Sequence, residues 1–555
     1  MTEDTQQQNP NEAESIHHLE QQRREKRDAI RGLGLDPYGQ RIDGLVTLRE
    51  ARRRYDEAAD LAHQEASAKA KESGGGDVPD ERTRVRIAGR IVLKREGGKL
   101  VWLQLRDATT AAAQDIEDGE APGMERDLQV AVSARDVEAP GFDVIKQTDL
   151  GDLLVVEGPL MRTKAGEVTV WASRVELASK SLEPPPEKWK GLTDIEARYR
   201  RRYVDLYANP PAMRVFEMRS RIVAFMRRWL NERDFLEVET PMLQTQAGGA
   251  AARPFTTHMN ALGIDLYMRI APELFLKRLL VGGMPRVFEV NRNFRNEGLD
   301  KQHNPEFTML ELYDAYGDVE RVMDLTESLV RDAARMVASG LGVERAVLPF
   351  GQLTVDYERA FDRVTYAELF ERALGFWMGD YERVRKEAQE RGLVAKWTKH
   401  LAAEGRAGGV EAIDPLLLAN ELFEEVAEPS LDPARPTWIM RYPAALSPLT
   451  RPNRDDPSVA DRSDLFIGHM EIGPHYTELN DPDVQAAKFR EQLAGIDDEE
   501  STFRTFDEDF IRALKVGMPP AGGMGLGIDR LCMLLLNQPT IRDVILFPMM
   551  RPSSA

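Results

Sequence analysis

Residues 286–316, RVFEVNRNFRNEGLDKQHNPEFTMLELYDAY, constrain the fold more than any other stretch: two alternating apolar-polar runs joined by a polar loop. That alternation is the signature of a half-buried antiparallel strand pair. Side chains two apart on a strand share a face, which groups Arg295 with Glu297 on the first run and Phe307, Glu311 and Tyr313 on the second. A solvated hairpin with charges paired across strands is the ordinary outcome for such a face. The second run is otherwise apolar, however, and a carboxylate is seldom buried without a partner or a task. Glu311 is therefore predicted to lie in a functional site.

A chain of 555 residues exceeds what one core supports, and its length suggests about three or four domain-sized units. At 42% hydrophobic and 30% charged it has an ordinary globular composition. No run approaches the roughly 20 apolar residues of a membrane helix, and MTEDTQQQNPNEAES resembles neither a secretory nor a transit segment. A cytoplasmic location and no membrane partner are expected. Cys532 is the single cysteine, which excludes an internal disulfide and a cysteine-based zinc site. The net charge of -19 argues against a general nucleic-acid coat, while leaving room for a nucleic-acid substrate met by local basic patches.

Residues 1–80 read as a charged, helical extension and linker. The first dozen are expected to be disordered, a helix runs on to about Leu33, and linker composition follows at 68–81. The basic run QQRREKR inside that helix reads as a solvated face, with assistance to RNA binding as the alternative. From 81 to 182 five short β runs separated by turns predict a small closed barrel, five being the strand count of the OB-fold. Such a barrel presents aromatic and polar groups to unstacked bases; Trp102 and Gln129 are the candidates, with barrel core equally open for Trp102. An Ala- and acid-rich stretch at 108–126 reads as a surface insertion. EPPPEKWKGL marks a domain boundary, and the arginines Arg198, Arg200, Arg201 and Arg202 beyond it either touch an RNA backbone or pair with nearby acids.

The remainder, 183–555, reads as an α+β domain. An amphipathic helix, EMRSRIVAFMRRWLNERD, leads into FLEVETPML, where Pro241 suggests an edge or an interface. Residues 357–428 read as a helical insertion without a chemical motif. GGMGLGIDR lacks the GK[ST] of a P-loop, yet its glycines let a backbone approach a flat ligand, with Arg530 at the start of the following helix. Asp464 and Glu471 flank DLFIGHME and suit magnesium shared with phosphates; a surface pair is the alternative.

Together these motifs resemble the class II lysyl-tRNA synthetases over roughly residues 85–552. The three class signatures correspond to residues 218–243, to RVFEVNRNFRNEG through PEFTMLELY, and to GMGLGIDR with its helix. GGAAARPF, YMRIAPELFLKR, DIEARYRRRYVDL and YTELNDP are particular to the lysine enzyme. The resemblance implies an OB-fold barrel ahead of a class II catalytic domain, magnesium as cofactor, and ATP, L-lysine and tRNA(Lys) as partners. With the amphipathic helix it also implies a homodimer. Arg295 would clamp the α-phosphate and the substrate carboxylate, Glu297 and His303 would contact the nucleotide, and Phe307 and Arg530 would sandwich the adenine. Gly525 belongs to the same ATP set, and Asp464 and Glu471 would hold magnesium. Gly249 and Glu273 match positions near the α-amino group; Glu311, Tyr313, Tyr476 and Glu478 match those around the ε-amino end. Trp102, Gln129 and Glu167 match anticodon contacts.

The sequence departs from the family pattern at four positions. Pro474 stands where an Asn contacts lysine, His475 where a small residue is usual, Asp464 where the family has Glu, and Asp234 in place of a glycine. The first two leave open a catalytically weak paralogue that binds RNA or regulates. An aspartate or asparagine enzyme would need cationic or amide partners where Glu311 and Glu478 stand.

Overall fold

A computed structural model describes residues 10–73, 78–107, 127–186, 192–250, 252–395, 397, 410–494 and 506–552. The chain divides into two compact units, Met1–Arg214 and Val215–Ala555, so the division follows the arginine cluster instead of the proline run at 183–186. The 108–126 insertion lies outside the described residues.

The first unit is built on helices α1 (Pro10–Gly32) and α2 (Glu57–Glu72) and strands β1 (Arg84–Gly97), β2 (Leu100–Arg106), β3 (Asp127–Ser133), β4 (Leu153–Arg162), β5 (Val168–Trp171) and β6 (Arg174–Ser179). The strands pair in the order β1-β2-β3-β5-β4-β6, and β1 also pairs with β4, so the circuit from β1 through β5 and β4 closes on itself. Alternation sends Val101, Leu103 and Leu105 of β2 into the interior with Leu128, Val130, Leu154, Val156 and Val170. EVTVWASRVEL, which reads as one strand, is two. The basic run of α1 is a docked face: Ile30 enters this core, Arg23 donates to the carbonyls of Leu150 and Ser181 at 3.0 Å, and Lys26 meets Asp149 at 2.5 Å. Likewise α2 occupies the start of the expected linker. The arginine cluster satisfies acids: Arg198 and Arg202 share Asp205, Arg200 meets Glu196, and Arg201 meets Glu183.

In the second unit, helix α3 (Pro210–Asn231), begun at the end of the first unit, leads to β7 (Leu236–Glu237). Strands β8 (Leu243–Gln244), β9 (Thr256–Met259) and β10 (Ile264–Met268) form a small sheet, and helix α4 (Glu273–Val281) follows. Next come β11 (Arg286–Phe294), β12 (Glu306–Ala315), helix α5 (Val319–Gly340), the hairpin of β13 (Val347–Phe350) and β14 (Leu353–Asp356), then β15 (Asp362–Thr365), β16 (Thr437–Met440), β17 (Arg462–Ile467), β18 (Met470–Thr477), β19 (Ala521–Gly527) and helix α6 (Ile528–Leu535). Eight strands form one mostly antiparallel sheet in the order β15-β16-β17-β18-β19-β12-β11-β7. β15 falls inside the stretch read as helical; the helical segments described there, Tyr366–Leu374, Tyr381–Glu390 and Pro415–Leu422, come after it and share a separate apolar core.

The predicted hairpin is β11 with β12, in register from Arg286 opposite Asp314 to Phe294 opposite Glu306. Its even-numbered side chains, Phe288, Leu310 and Leu312, join Leu465, Met524 and Leu526 in the main core against Ile222 and Met226 of α3 and Leu329 and Val330 of α5. The odd-numbered face is the other side of the sheet, and it carries the polar groups. No helix among the described residues is long and apolar enough to cross a membrane.

Candidate active site

The floor of the site is the polar face of β17, β18, β19, β12 and β11. Register sets its residues side by side: Glu311 lies opposite Gly525 and Tyr313 opposite Gly523 on β19, and Tyr476 of β18 lies on the other flank of Gly523. The glycines let neighbouring side chains come down onto the strand. A Cβ at Gly523 would collide with Glu478 Oε1 and would meet the Tyr313 ring at 2.6 Å; one at Gly525 would meet Met309 at 3.0 Å, with Pro474 and Glu311 just beyond. GGMGLGIDR is thus a strand closely approached by the side chains over it, running into α6.

At one end three buried carboxylates converge. Glu311 is 5% exposed and Glu478 1%, and Glu273 opens α4 beside Gly249, where a Cβ would touch Glu273 Cβ at 3.3 Å. Gly249 takes φ +86°, a conformation that L side chains rarely adopt. Glu289, directly across from Glu311, is neutralised by Arg269 at 2.6 Å. No such partner is found for Glu311 among the described residues, and burial, with the Glu273 charge adding to it, pushes its carboxyl up to about 8. Burial likewise raises Glu478, against the pull of its neighbour Lys277. Tyr313 is held protonated far above its usual range by burial among Glu273, Glu311, Glu478 and Tyr476. A tight set of acceptors with unmet charge suits a ligand bearing ammonium groups.

The other end is cationic. Arg295 and Glu297 lie past the end of β11, so strand parity does not govern them; Arg295 is kept in line because its N–H donates to Pro305 O at 2.9 Å. Its guanidinium lies 5.1 Å from the Phe307 ring, and its Nε has no hydrogen-bond partner. Burial weakens its hold on the proton, while Glu297, Glu311 and Glu471 oppose that effect and mark where it sits. Arg530, in the first turn of α6, donates to the Glu471 carbonyl at 2.6 Å and approaches His303 Nε2 at 2.9 Å; His303 Nδ1 lies 2.7 Å from Asp300. α6 is anchored by Asp529, which accepts from Thr308 N and meets Arg219 of α3 at 2.6 Å.

Asp464 and Glu471 share the floor face on adjoining strands. Arg462 grips both oxygens of Asp464, at 3.0 and 2.6 Å. Burial and the Asp464 charge raise Glu471, and no ion pair to it is found among the described residues. Glu428, from the inserted segment, is pushed up to about 8 by burial and by Glu424, Glu471 and Asp464. Two mutually repelling carboxylates beside the arginines Arg295 and Arg530 fit a divalent ion that takes its other oxygens from phosphates.

The departures from the family pattern separate cleanly. His475 points into the core, fully buried, with Nε2 2.8 Å from Thr326 Oγ1 and its ring edge-on to Trp438 at 4.7 Å. It does not reach the site. Asp234 takes φ +63° in an exposed turn, the left-handed conformation that accounts for a glycine there and that Asp tolerates. Pro474 does line the floor beside Gly525 and Glu311. Sequence reasoning passed over Lys277, Arg462, Arg269 and Glu428. Lys277 was the most visible of them, a charge four residues from Glu273 within the apolar run ELFLKRLLV.

Trp102, Gln129 and Glu167 belong to the first unit. Trp102 is half-exposed on the outer face of β2, which excludes the core reading. Gln129 accepts from Thr169 Oγ1 at 2.8 Å, and Glu167 lies in the exposed turn that leads to that residue.

Residues 194–551 match the family model described as tRNA synthetases class II (D, K and N). The lysine–tRNA ligase of Carboxydothermus hydrogenoformans is 40% identical over 98% of this chain and 99% of its own length. Those of Actinobacillus pleuropneumoniae and Magnetococcus marinus are 44% and 42% identical over 90% and 95% of this chain and 92% and 96% of their own lengths. On this sheet, this floor and these relatives, the chain belongs to the class II tRNA synthetase family, among its lysine–tRNA ligases.

Proposed function

We propose that this chain joins L-lysine to ATP as lysyl-adenylate and passes lysine to the 3′ end of tRNA(Lys). The observation that carries the reading is the convergence of Glu273, Glu311 and Glu478 around Tyr313, with Glu478 brought down onto the strand at Gly523. Carboxylates facing a cation in a desolvated site reject neutral and acidic amino acids, because their own charge would stay unpaired. An aspartate or asparagine substrate does not suit that set. Glu273 with Gly249 takes the α-amino group, and Glu311, Tyr313, Tyr476 and Glu478 take the ε-amino end. Pro474 contributes shape only, so the amide contact of the family is replaced by nothing and the carboxylates carry the specificity.

No covalent nucleophile is needed. The lysine carboxylate attacks the α-phosphate, and the protein holds the two in line and neutralises developing charge. Arg295 clamps that carboxylate and the α-phosphate. Phe307 and Arg530 enclose the adenine, flat guanidinium and ring suiting a flat base; Gly525 gives it room, and Glu297 and His303 contact the nucleotide. Asp464 and Glu471 hold magnesium, which supplies charge neutralisation at the phosphates when bound.

In the first unit the closed strand circuit supports an OB-fold barrel whose outer face, with Trp102, Gln129 and Glu167, receives the anticodon. A homodimer in the cytoplasm completes the reading. The exposed apolar side chains that follow the amphipathic helix, Leu236, Met242 and Leu243, each about half exposed, support that dimer contact. Lysine-dependent ATP–pyrophosphate exchange is the test; exchange that ignores lysine would overturn the substrate, and no exchange with the chain folded would leave a non-catalytic RNA-binding paralogue.

A further inference from the structure

Lys277 is a buried cation at the amino-acid end, set between two of the carboxylates proposed to receive the substrate. It stands four residues beyond Glu273 on α4, one turn along the same face. Its ammonium has no exposure to solvent and lies 2.6 Å from Glu273 Oε1 and 2.5 Å from Glu478 Oε2. It therefore occupies one oxygen of each carboxylate. The other oxygen of Glu478, Oε1, lies over Gly523, and among the described residues neither oxygen has a hydrogen-bond partner besides the ion pair of Oε2 with Lys277.

We propose that Lys277 is the positioning residue of the lysine pocket: it fixes Glu273 and Glu478 and leaves the pocket two net negative charges, one for each ammonium group of the substrate. The inference rests on the lysine-activating reading above. Glu273, Glu311 and Glu478 alone would set three negative charges against the two ammonium groups of lysine, and a third buried charge without a partner is costly. Lys277 removes the surplus, because Glu289 is already matched by Arg269. Burial disfavours its charge, yet Glu273 and Glu478 together outweigh burial and keep it protonated. An amino acid with a single ammonium group then leaves at least one charge unmet, so Lys277 sharpens selection without touching substrate.

The test compares Lys277→Gln, which keeps a hydrogen-bond donor and loses the charge, with Lys277→Arg, which keeps the charge, in lysine-dependent ATP–pyrophosphate exchange by the full chain. In Lys277→Gln the lysine KM rises about tenfold or more while the ATP KM stays within about twofold, and Lys277→Arg recovers most of the loss. The pH at which the lysine KM levels off also moves upward in Lys277→Gln, because a carboxylate left without its cation holds a proton more firmly. An unchanged lysine KM and pH profile in Lys277→Gln would overturn the proposal. So would a loss of ATP affinity and thermal stability in step with lysine affinity, which would make the residue a packing element. If the unaltered protein shows no lysine-dependent exchange, the proposed function falls, and this inference with it.

Discussion

At the scale of single residues the site is held in a state that its substrate must change. Glu311 in the free protein stays protonated to about pH 8 because it is buried beside the Glu273 charge, and it must ionise to pair with an ammonium group. Below that pH lysine has to expel the proton, which costs about tenfold in affinity per pH unit. The lysine KM is therefore expected to fall as pH rises from 6 to 8 and then flatten, measured by exchange across pH; Glu311→Gln loses the part of this dependence nearest pH 8, leaves the part due to Glu478, and binds lysine poorly throughout. The stability sign is opposite. The folded value lies above the unfolded one of about 4.3, so the contribution of Glu311 is full below the unfolded value and lost as pH rises through about 8. Free Glu311→Gln should then melt about 2 °C or more above the unaltered protein at pH 8.5. His475 behaves as a core residue, with burial lowering its pKa to about 3. Its stabilisation is present above the unfolded value near 6.5 and is lost as pH falls toward 3. His475→Ala removes the partner of Thr326 and opens a cavity, an expected cost of about 2–4 kcal/mol in denaturant unfolding with the lysine KM unchanged.

Among the elements, β19 does most to decide what the site admits. Gly523→Ala would drive a methyl to 2.0 Å from Glu478 Oε1, whereas the same change at Gly525 meets only the flexible end of Met309 at 3.0 Å. Gly523→Ala is expected to raise the lysine KM at least about tenfold, and Gly525→Ala to disturb lysine binding far less; exchange kinetics at varied lysine separate the two. The hairpin of β11 and β12 was legible because alternation with period two is a local property, and Glu311 stood out as a charge in an apolar run. What alternation cannot show is where a strand stops. β11 ends at Phe294, so Arg295 and Glu297 are placed by backbone pairing to Pro305 and by the surrounding charges. Nor could it show which face of β18 meets the ligand. One residue of register separates Pro474, on the floor, from His475, in the core, and only the pairing with β17 and β19 fixes that choice. Lys277 lay hidden for a related reason: its partner Glu478 is remote in sequence, and a lysine in an amphipathic helix usually faces water.

Over the whole molecule the proposed reading divides chemistry from recognition: every group proposed to touch ATP or lysine lies between Gly249 and Arg530, in the second unit. The first unit offers Trp102, half-exposed on β2, with Gln129 on the same outer face, since Gln129 pairs with Gln104 two residues along from Trp102. A ring in that position is free of the interior, which Val101, Leu103 and Leu105 fill from the other side, and on the proposed reading it stacks on a base. Base stacking on an aromatic side chain is worth about 1–3 kcal/mol. Trp102→Ala should accordingly lower kcat/KM for tRNA(Lys) in aminoacylation by about 5- to 150-fold and leave lysine-dependent ATP–pyrophosphate exchange unchanged. The comparison of the two assays on one preparation is decisive. Equal losses in both would mean that the ring supports the fold, and no loss in either would remove Trp102 from the anticodon surface.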